Sequence, residues 1–413
     1  MSKRRVRYLP GKGISKITLT HENQKLQRNQ DLTHYEDTFY QCGKCGTCRT
    51  VYKDAYWSRV CPSGEFGKFE AYYLGGKNLL TWALTTDKLK WSEGIAKIFY
   101  QCSVCMACIQ QCQIPEIHIY AGEWLMAVRE KAVQLGYGPM PEQAKYTDHI
   151  MTEKNPYMEK NEDRLEWLPS HIKLSSDAKL AYFVGCTSSY REKDVAIATA
   201  EILNKLNVDF TILEKEACCG SPVYMTGQTE KAEKLAQQNV DIFKDAEIEQ
   251  IITSCAGCYR TWKDIYPNKF GLDHGIEIKH LPEFIRKKLK NGEINFNNEI
   301  DMKITYHDPC HIGRHMGIYK APRDVIQEIP GIELIEMTRN RHNAWCCGSG
   351  GGVRSSFKDL SAFAAKERIE EAKETKASAL VSCCPFCLNQ FKSNIENDEI
   401  QALDLSELIN KAL

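Results

Sequence analysis

Two cysteine pairs followed by glycine, in EACCGSPV at residues 216–223 and AWCCGSGGG at 344–352, set the chemical question together with eight cysteines between residues 42 and 112. A strand would send neighbouring side chains to opposite faces, and adjacent cysteines make awkward disulfide partners. Both pairs therefore belong in turns that aim two sulfurs at one site, and Gly220 and Gly348 give the backbone freedom for such a turn. Nineteen cysteines in 413 residues, clustered and not scattered, point to metal or redox chemistry in a chain whose thiols stay reduced.

Each pair is embedded in a longer set. Counted in intervening residues, Cys186, Cys218, Cys219, Cys255 and Cys258 follow Cys-31-Cys-Cys-35-Cys-2-Cys, and Cys310, Cys346, Cys347, Cys384 and Cys387 follow Cys-35-Cys-Cys-36-Cys-2-Cys. Tetrahedral zinc takes four ligands and would strand a fifth thiolate, whereas a multi-iron cluster would use all five. The N-terminal cysteines read differently. Cys-x2-Cys-x2-Cys lets three thiolates wrap one corner of a cubane 4Fe-4S cluster while a distant cysteine supplies the fourth, as in two-cluster ferredoxins. On that pattern Cys42, Cys45, Cys48 and Cys112 hold one cluster, and Cys102, Cys105, Cys108 and Cys61 the other. Two departures bear on the fourth ligands: twelve residues separate Cys48 from Cys61 where three are usual, and Gln113 follows Cys112 where proline is usual. Cys383 is left over and reads as a buried structural thiol.

Elements must position these sulfurs. From residue 179 short strands alternate with amphipathic helices. LAYFVGC ends at Cys186; DVAIATAEILNKL sets Val195, Ala198, Ile202, Leu203 and Leu206 on one helical face; DFTILE reads as the next strand. TEKAEKLAQQNVDIF turns Ala232, Leu235, Ala236, Val240 and Phe243 inward, EQIITSC ends at Cys255, and IEIKHLPEFIRKKL is a fourth strand and helix. MKITYHDPC, GIELIEM, KASALVSC and EIQALDLSELINKAL repeat that order, so residues 179–295 and 296–413 are two α/β lobes related by duplication, each with a mostly parallel sheet. Ligands of such sheets collect beyond the carboxyl ends of the strands, where the five sulfurs of each lobe can meet. Residues 41–135, with GKNLLTWALTTDKL and EWLMAVREKAVQL as helices, form a small α-helical ferredoxin-like domain; residues 1–40 are an N-terminal arm and 136–178 a polar linker. The expected fold class is thus multidomain.

Composition narrows the setting. The chain is 43% apolar with zero net charge, and no apolar run approaches the roughly 18–20 residues of a membrane span. MSKRRVRYLPGKG is basic without the apolar stretch of a signal peptide, so a cytoplasmic protein is expected, reaching a membrane only peripherally through a partner. Nucleic acid is not an expected partner, and KRRVR reads as a solvated arm. GSGGG at 348–352 lacks the Lys-Ser/Thr of a P-loop and reads as a tight turn offering N–H groups to sulfur. No dinucleotide fingerprint opens a lobe, so flavin or nicotinamide belongs on a partner. Tyr40, Trp57, Tyr72, Tyr73 and Phe99 read as core and cluster shielding. His307, Asp308 and His311 flank Cys310, and Arg341 and His342 precede the second pair; His311 and His342 are candidate proton donors, and orientation of the ligand loops is the plainer role of the group.

The Cys-Cys-Gly motifs, preceded by two ferredoxin-type runs, resemble the catalytic subunit of heterodisulfide reductase and its relatives, in the single-chain form of membrane-associated complexes. The likeness covers residues 40 to 413 and includes NPY and the later WLP of the linker. It implies a noncubane 4Fe-4S cluster on each five-cysteine set, built as two smaller iron-sulfur units sharing an iron, beside the two cubanes. It further implies that the paired clusters face one another across a pocket where a small disulfide is reduced, or formed from thiols. Relatives of this architecture serve glycolate or lactate oxidase systems, sulfite-reduction membrane complexes and the large benzoyl-CoA reductase complex. A flavoprotein, a haem membrane subunit or an acyl-CoA reductase is accordingly the expected kind of partner. The alternative is a subunit that only transfers electrons within such a complex. Both motifs are complete here, which favours two working clusters.

Overall fold

Short apolar strands ending in polar turns build the C-terminal half of the chain. In the computed structural model, which describes residues 31–50, 57–396 and 400–413, Leu180–Tyr182 (β1), Gln250–Thr253 (β2) and Glu277–His280 (β3) form a parallel sheet in the order β1-β2-β3. Met302–Tyr306 (β4), Ile332–Leu334 (β5), Ala379–Ser382 (β6) and Gln401–Asp404 (β7) form a second parallel sheet in the order β5-β4-β6-β7. DFTILE, expected as a strand, is reduced to a single parallel bridge from Thr211 to Ala181. The cause lies just beyond it: the carboxylate of Glu216 accepts the N–H groups of Val184 and Gly185 at 3.0 and 2.9 Å, so no ladder continues past β1 on that side. The bridge stands beside β1 as β5 stands beside β4, and the duplicated order is therefore also a duplicated topology.

Helices cover the sheets, and the two lobes exchange them. Lys193–Lys205 and Thr229–Asp245 bury Val195, Ile202, Leu203, Leu235, Val240 and Phe243, as their apolar spacing predicts. Lys193–Lys205 of the first lobe packs on Leu405–Ala412, the last helix of the second; reciprocally, Leu281–Lys290, the last of the first lobe, packs on Lys320–Glu328 of the second. Polar contacts mark both seams, with Arg286 Nε donating to Asp324 Oδ2 at 2.6 Å in one and Asn410 Nδ2 to Glu201 Oε2 in the other. One apolar core runs through both lobes. The reciprocal pairing brings the ends of β2 and β6 together, so that Cys255 and Cys384 lie close enough to perturb each other's ionisation.

The N-terminal part is helical, with Leu74–Thr85, Glu93–Tyr100 and Pro115–Gln134 as its main elements. Ser92 caps the second of these by accepting the N–H of Ile95, and proline in the first turn starts the third, which is longer than EWLMAVREKAVQL suggests. The described end of the expected arm is core: Leu32, Tyr35 and Phe39 are buried, Phe39 edge-on to Trp124. KRRVR lies outside the described residues. Within 136–178, expected as a polar connection, stands a 13-residue helix, Pro141–Glu153, and the segment after it docks on the first lobe, with Lys154 O accepting from Cys218 N at 2.8 Å. Tyr40, expected to shield a cluster, is 62% exposed and lies edge-on to Trp82, while Trp57, Tyr73 and Phe99 are buried. Among the described residues no helix is long and apolar enough to cross a membrane.

One buried side chain ties all three parts together. Arg129, on Pro115–Gln134, donates to the carbonyls of Phe99 (2.8 Å) and Cys102 (2.5 Å) in the helical domain, Met225 (2.6 Å) in the first lobe and Gly351 (2.9 Å) in the second. Gly351 must be glycine for this approach, because its φ is +62° and a Cβ there would lie 2.7 Å from Cys102 O.

Candidate iron-sulfur centres

The cysteines arrive at the site from strand ends and helix starts. Cys186 opens the helix Cys186–Tyr190 and Cys255 caps Ala256–Arg260; in the second lobe Cys384 caps Pro385–Lys392. In the first lobe the sulfur of Cys218 interacts with those of Cys186 and Cys219, Cys219 with Cys258, and Cys258 with Cys255. In the second lobe Cys346 interacts with Cys310 and Cys347, Cys387 Sγ lies 3.3 Å from Cys347 Sγ, and Cys387 meets Cys384. Each lobe thus gathers its five sulfurs into one contiguous group, and none forms a disulfide. The turn that allows this uses Gly348 at φ +88°, where a Cβ would lie 2.7 Å from Ser361 O. Donation from Cys218 and Cys258 holds Cys219 well below the usual thiol range, and donation from Cys346 and Cys387 does the same for the equivalent Cys347.

The N-terminal cysteines form two further groups. Cys42, Cys45, Cys48 and Cys112 line one cavity of about 310 Å³, with Cys45 exposed at its mouth. Cys61 feels the charge of Cys102 and Cys105, and Cys108 that of Cys61, Cys102, Cys105 and, last, Cys48. Backbone N–H groups point at these sulfurs, from Gly64 to Cys61 and from Val104 to Cys102, each at 3.4 Å; Gly348 N does the same for Cys346 at 3.4 Å. Cys105 in turn interacts with Cys346 of the second lobe. The four groups therefore lie in sequence: the Cys45 group at the surface, then the Cys105 group, the second lobe, and the first lobe beyond the Cys384–Cys255 contact.

Buried charges frame the row. Arg164, within the WLP-bearing linker, reaches Cys186 Sγ at 3.9 Å, donates to Glu216 O at 2.8 Å and pairs with the Glu216 carboxylate at 3.5 Å. Arg314 sits at the junction with the helical domain, donating to Cys105 O at 2.6 Å and Ala344 O at 2.5 Å. Sequence reasoning missed all three; Glu216 carried a signal, two residues before Cys218, whereas the distant Arg164 carried none. Asp308 takes both ends of Arg323 at 2.7 and 2.9 Å and the N–H of Arg341 at 2.7 Å, which ties the loop of Cys310 to the loop of the second pair. D308A is expected to cost about 1–3 kcal/mol by chemical denaturation, because it takes one of two carboxylates from the buried Arg323, leaving Glu336, and strands the N–H of Arg341.

The two histidine candidates separate. His311 is half-buried beside Gly257 of the first lobe, its Nδ1 enclosed and 3.6 Å from the position of a Cβ there; desolvation, with the charge of Arg260, pulls it down to about 3. His342 is exposed on the short turn Arg341–Asn343. The structure brings His311 to the seam between the lobes and leaves the His342 ring at the surface.

The donor set fits iron-sulfur groups. Burial pushes the Cys61 thiol up to about 12, and crowding of sulfurs raises Cys218 and Cys346 as well, so these groups do not ionise cheaply unless cations sit among them. Coordinated iron supplies those cations, since a metal-bound thiol is deprotonated outright. Five contiguous sulfurs per lobe exceed what one tetrahedral ion takes.

Comparison with known proteins agrees. The family described as cysteine-rich domain, CCG, matches residues 180–263 and 304–392. A dihydromethanophenazine:CoB–CoM heterodisulfide reductase subunit of Methanosarcina acetivorans is 37% identical over 389 residues, 90% of this chain and 94% of that protein. Its counterpart from Methanosarcina barkeri is 37% identical over 91% of this chain and 94% of its own length. A fumarate reductase (CoM/CoB) subunit of Methanothermobacter marburgensis is 28% identical, covering 77% of this chain and 62% of that one. With both cysteine-rich domains matched and near full-length similarity to the Methanosarcina reductase subunits, the chain belongs to the heterodisulfide reductase family of iron-sulfur oxidoreductases.

Proposed function

We propose that this chain is the disulfide-reacting subunit of a redox complex, taking electrons from a partner at its N-terminal domain and reducing, or forming, a small disulfide between its two C-terminal lobes. Cys42, Cys45, Cys48 and Cys112 would hold one cubane 4Fe-4S cluster and Cys61, Cys102, Cys105 and Cys108 the other. Cys186, Cys218, Cys219, Cys255 and Cys258 would hold one noncubane cluster, and Cys310, Cys346, Cys347, Cys384 and Cys387 its counterpart. When bound, such groups supply one-electron carriage and iron able to take sulfur as a ligand. The observation that carries the reading is that Cys255 and Cys384 lie close enough to perturb each other's ionisation, which turns two complete five-sulfur groups toward one seam. The protein's own part is to bury those sulfurs, to set Arg164 and Arg314 against their negative charge, and to place His311 at the seam, where a neutral ring can hydrogen-bond a departing sulfur.

The partner is a redox subunit carrying the flavin or haem this chain has no motif for, docked near exposed Cys45. A second reading, a relay with no substrate of its own, draws on the tightness of the seam, where Cys255 and Cys384 are 8% and 5% exposed. Anaerobically purified protein is expected to be brown with about 16 iron atoms per chain, four for each cluster. After reduction, a CoB–CoM-type mixed disulfide is expected to be consumed and to produce a thiolate-dependent paramagnetic signal. A colourless zinc protein would refute the iron reading; full iron with no disulfide consumed would favour the relay.

A further inference from the structure

The two lobes are duplicates, yet one position beside their sulfurs differs in kind. Counting back from Cys186 and Cys310, Phe183 and His307 occupy equivalent places just past β1 and β4. Phe183 is fully buried among apolar and aromatic neighbours, including Phe243 and Trp262. His307 is 1% exposed, and one of its ring nitrogens and the sulfurs of Cys347 and Cys387 all lie within 4.8 Å of one another.

The ring's protonation pattern is set from behind. Arg368 Nε donates to His307 Nδ1 at 3.1 Å, so Nδ1 is the lone-pair nitrogen and the proton of the neutral ring sits on Nε2. Nε2 is buried and makes no hydrogen bond of ordinary length among the described residues, so the neighbouring sulfurs of Cys347 and Cys387 are the acceptors open to it. Arg368 is itself anchored, donating to Glu371 Oε2 at 2.7 Å and Arg339 O at 2.8 Å, and Phe391 holds the other side of the ring edge-on at 4.9 Å between centroids. The helices that carry the anchors, Thr229–Asp245 and Lys358–Glu374, have 17 residues each, and Asn239 occupies in the first the step that Arg368 occupies in the second. Asn239 turns its side chain to the backbone of Ala217 and Cys218 instead. Histidine and arginine therefore go together in one lobe, phenylalanine and asparagine in the other.

We propose that His307, oriented by Arg368, makes the paired centres unequal: an N–H donor to the Cys347–Cys387 sulfurs stabilises the more electron-rich state, so the second lobe is reduced at a higher potential than the first. Hydrogen bonds to cluster sulfurs are among the established determinants of potential. The second lobe is also the one that touches the Cys105 group, so the electron entering from the helical domain finds its lower-energy site first. The inference rests on the iron-sulfur reading above, and His307 acts in it as a positioning residue.

The test is a redox titration of the full chain, purified anaerobically and followed by electron paramagnetic resonance, with iron counted in every sample. H307F, which copies the first lobe, is expected to move one couple to lower potential at unchanged iron content, and H307Q, which keeps an N–H donor, to restore it in part. R368Q, which frees Nδ1, is expected to shift the same couple in the same direction, and serves if H307F does not fold. Unmoved potentials in H307F or R368Q at full iron content would overturn the proposal, as would loss of iron in H307F, which would make His307 a ligand. Wild-type protein without iron would instead sink the functional reading itself.

Discussion

R129M is expected to destabilise the protein by about 3 kcal/mol or more, the cost of leaving several buried carbonyls without donors. The side chain is 1% exposed, and its acceptors come from the three parts of the molecule at once. Methionine fills much of the space but donates nothing, so Cys102 O, Met225 O and Gly351 O lose this donor together. R129K should recover only a fraction, because an ammonium on a flexible stem cannot span five carbonyls held by a planar fork. Chemical denaturation gives the size of the effect. Amide hydrogen exchange gives its place: exchange should accelerate at residues 102–104 and 350–352, where the Cys102 motif meets the glycine run of the second lobe, more than in the sheet interiors. A uniform change across the chain, or a cost under about 1 kcal/mol, would show that the three parts hold together without this clasp.

The reach of the sequence is clearest where a residue's neighbours repeat. The apolar runs placed the strands but not their ends, which fall at Tyr182, Thr253, Tyr306 and Ser382, two to four residues before Cys186, Cys255, Cys310 and Cys384; the structure joins each lobe's sulfurs as the duplicated spacing suggests. DFTILE failed as a strand because a carboxylate two residues past it, Glu216, takes the N–H groups that a ladder would need, a competition no strand propensity contains. Long-range partners were equally hidden. Arg164 meets Cys186 only after the segment behind Pro141–Glu153 folds back on the first lobe, and polar composition made that segment look like a tether. The reciprocal helix exchange that faces the lobes toward each other depends on pairs such as Arg286 with Asp324, ordinary surface charges when read along the chain. The glycines of GSGGG serve a second purpose beyond the turn, since Gly351 lets Cys102 O come close.

C384S is expected to abolish disulfide turnover, by about 100-fold or more, and to remove about a quarter of the bound iron, one four-iron group in four. C383S, one residue earlier, is expected to leave both within about twofold, since a buried group with a preserved hydrogen bond is nearly neutral to exchange. The contrast follows from the duplication. Cys384 is in register with Cys255, and the two sulfurs meet at the seam. Cys383 is in register with Ser254; its sulfur takes part in a 2.8 Å hydrogen bond with the Tyr306 hydroxyl, as Ser254 Oγ does with Tyr182 at 3.1 Å. The first lobe thus already carries out the C383S substitution at the equivalent place, with the tyrosine partner kept. Iron analysis and turnover on the two variants side by side separate a ligand from a structural thiol. Iron lost in both would mean that Tyr306 and Cys383 belong to the centre, and iron kept in both would dissolve the five-sulfur group on which the chemistry of the second lobe depends.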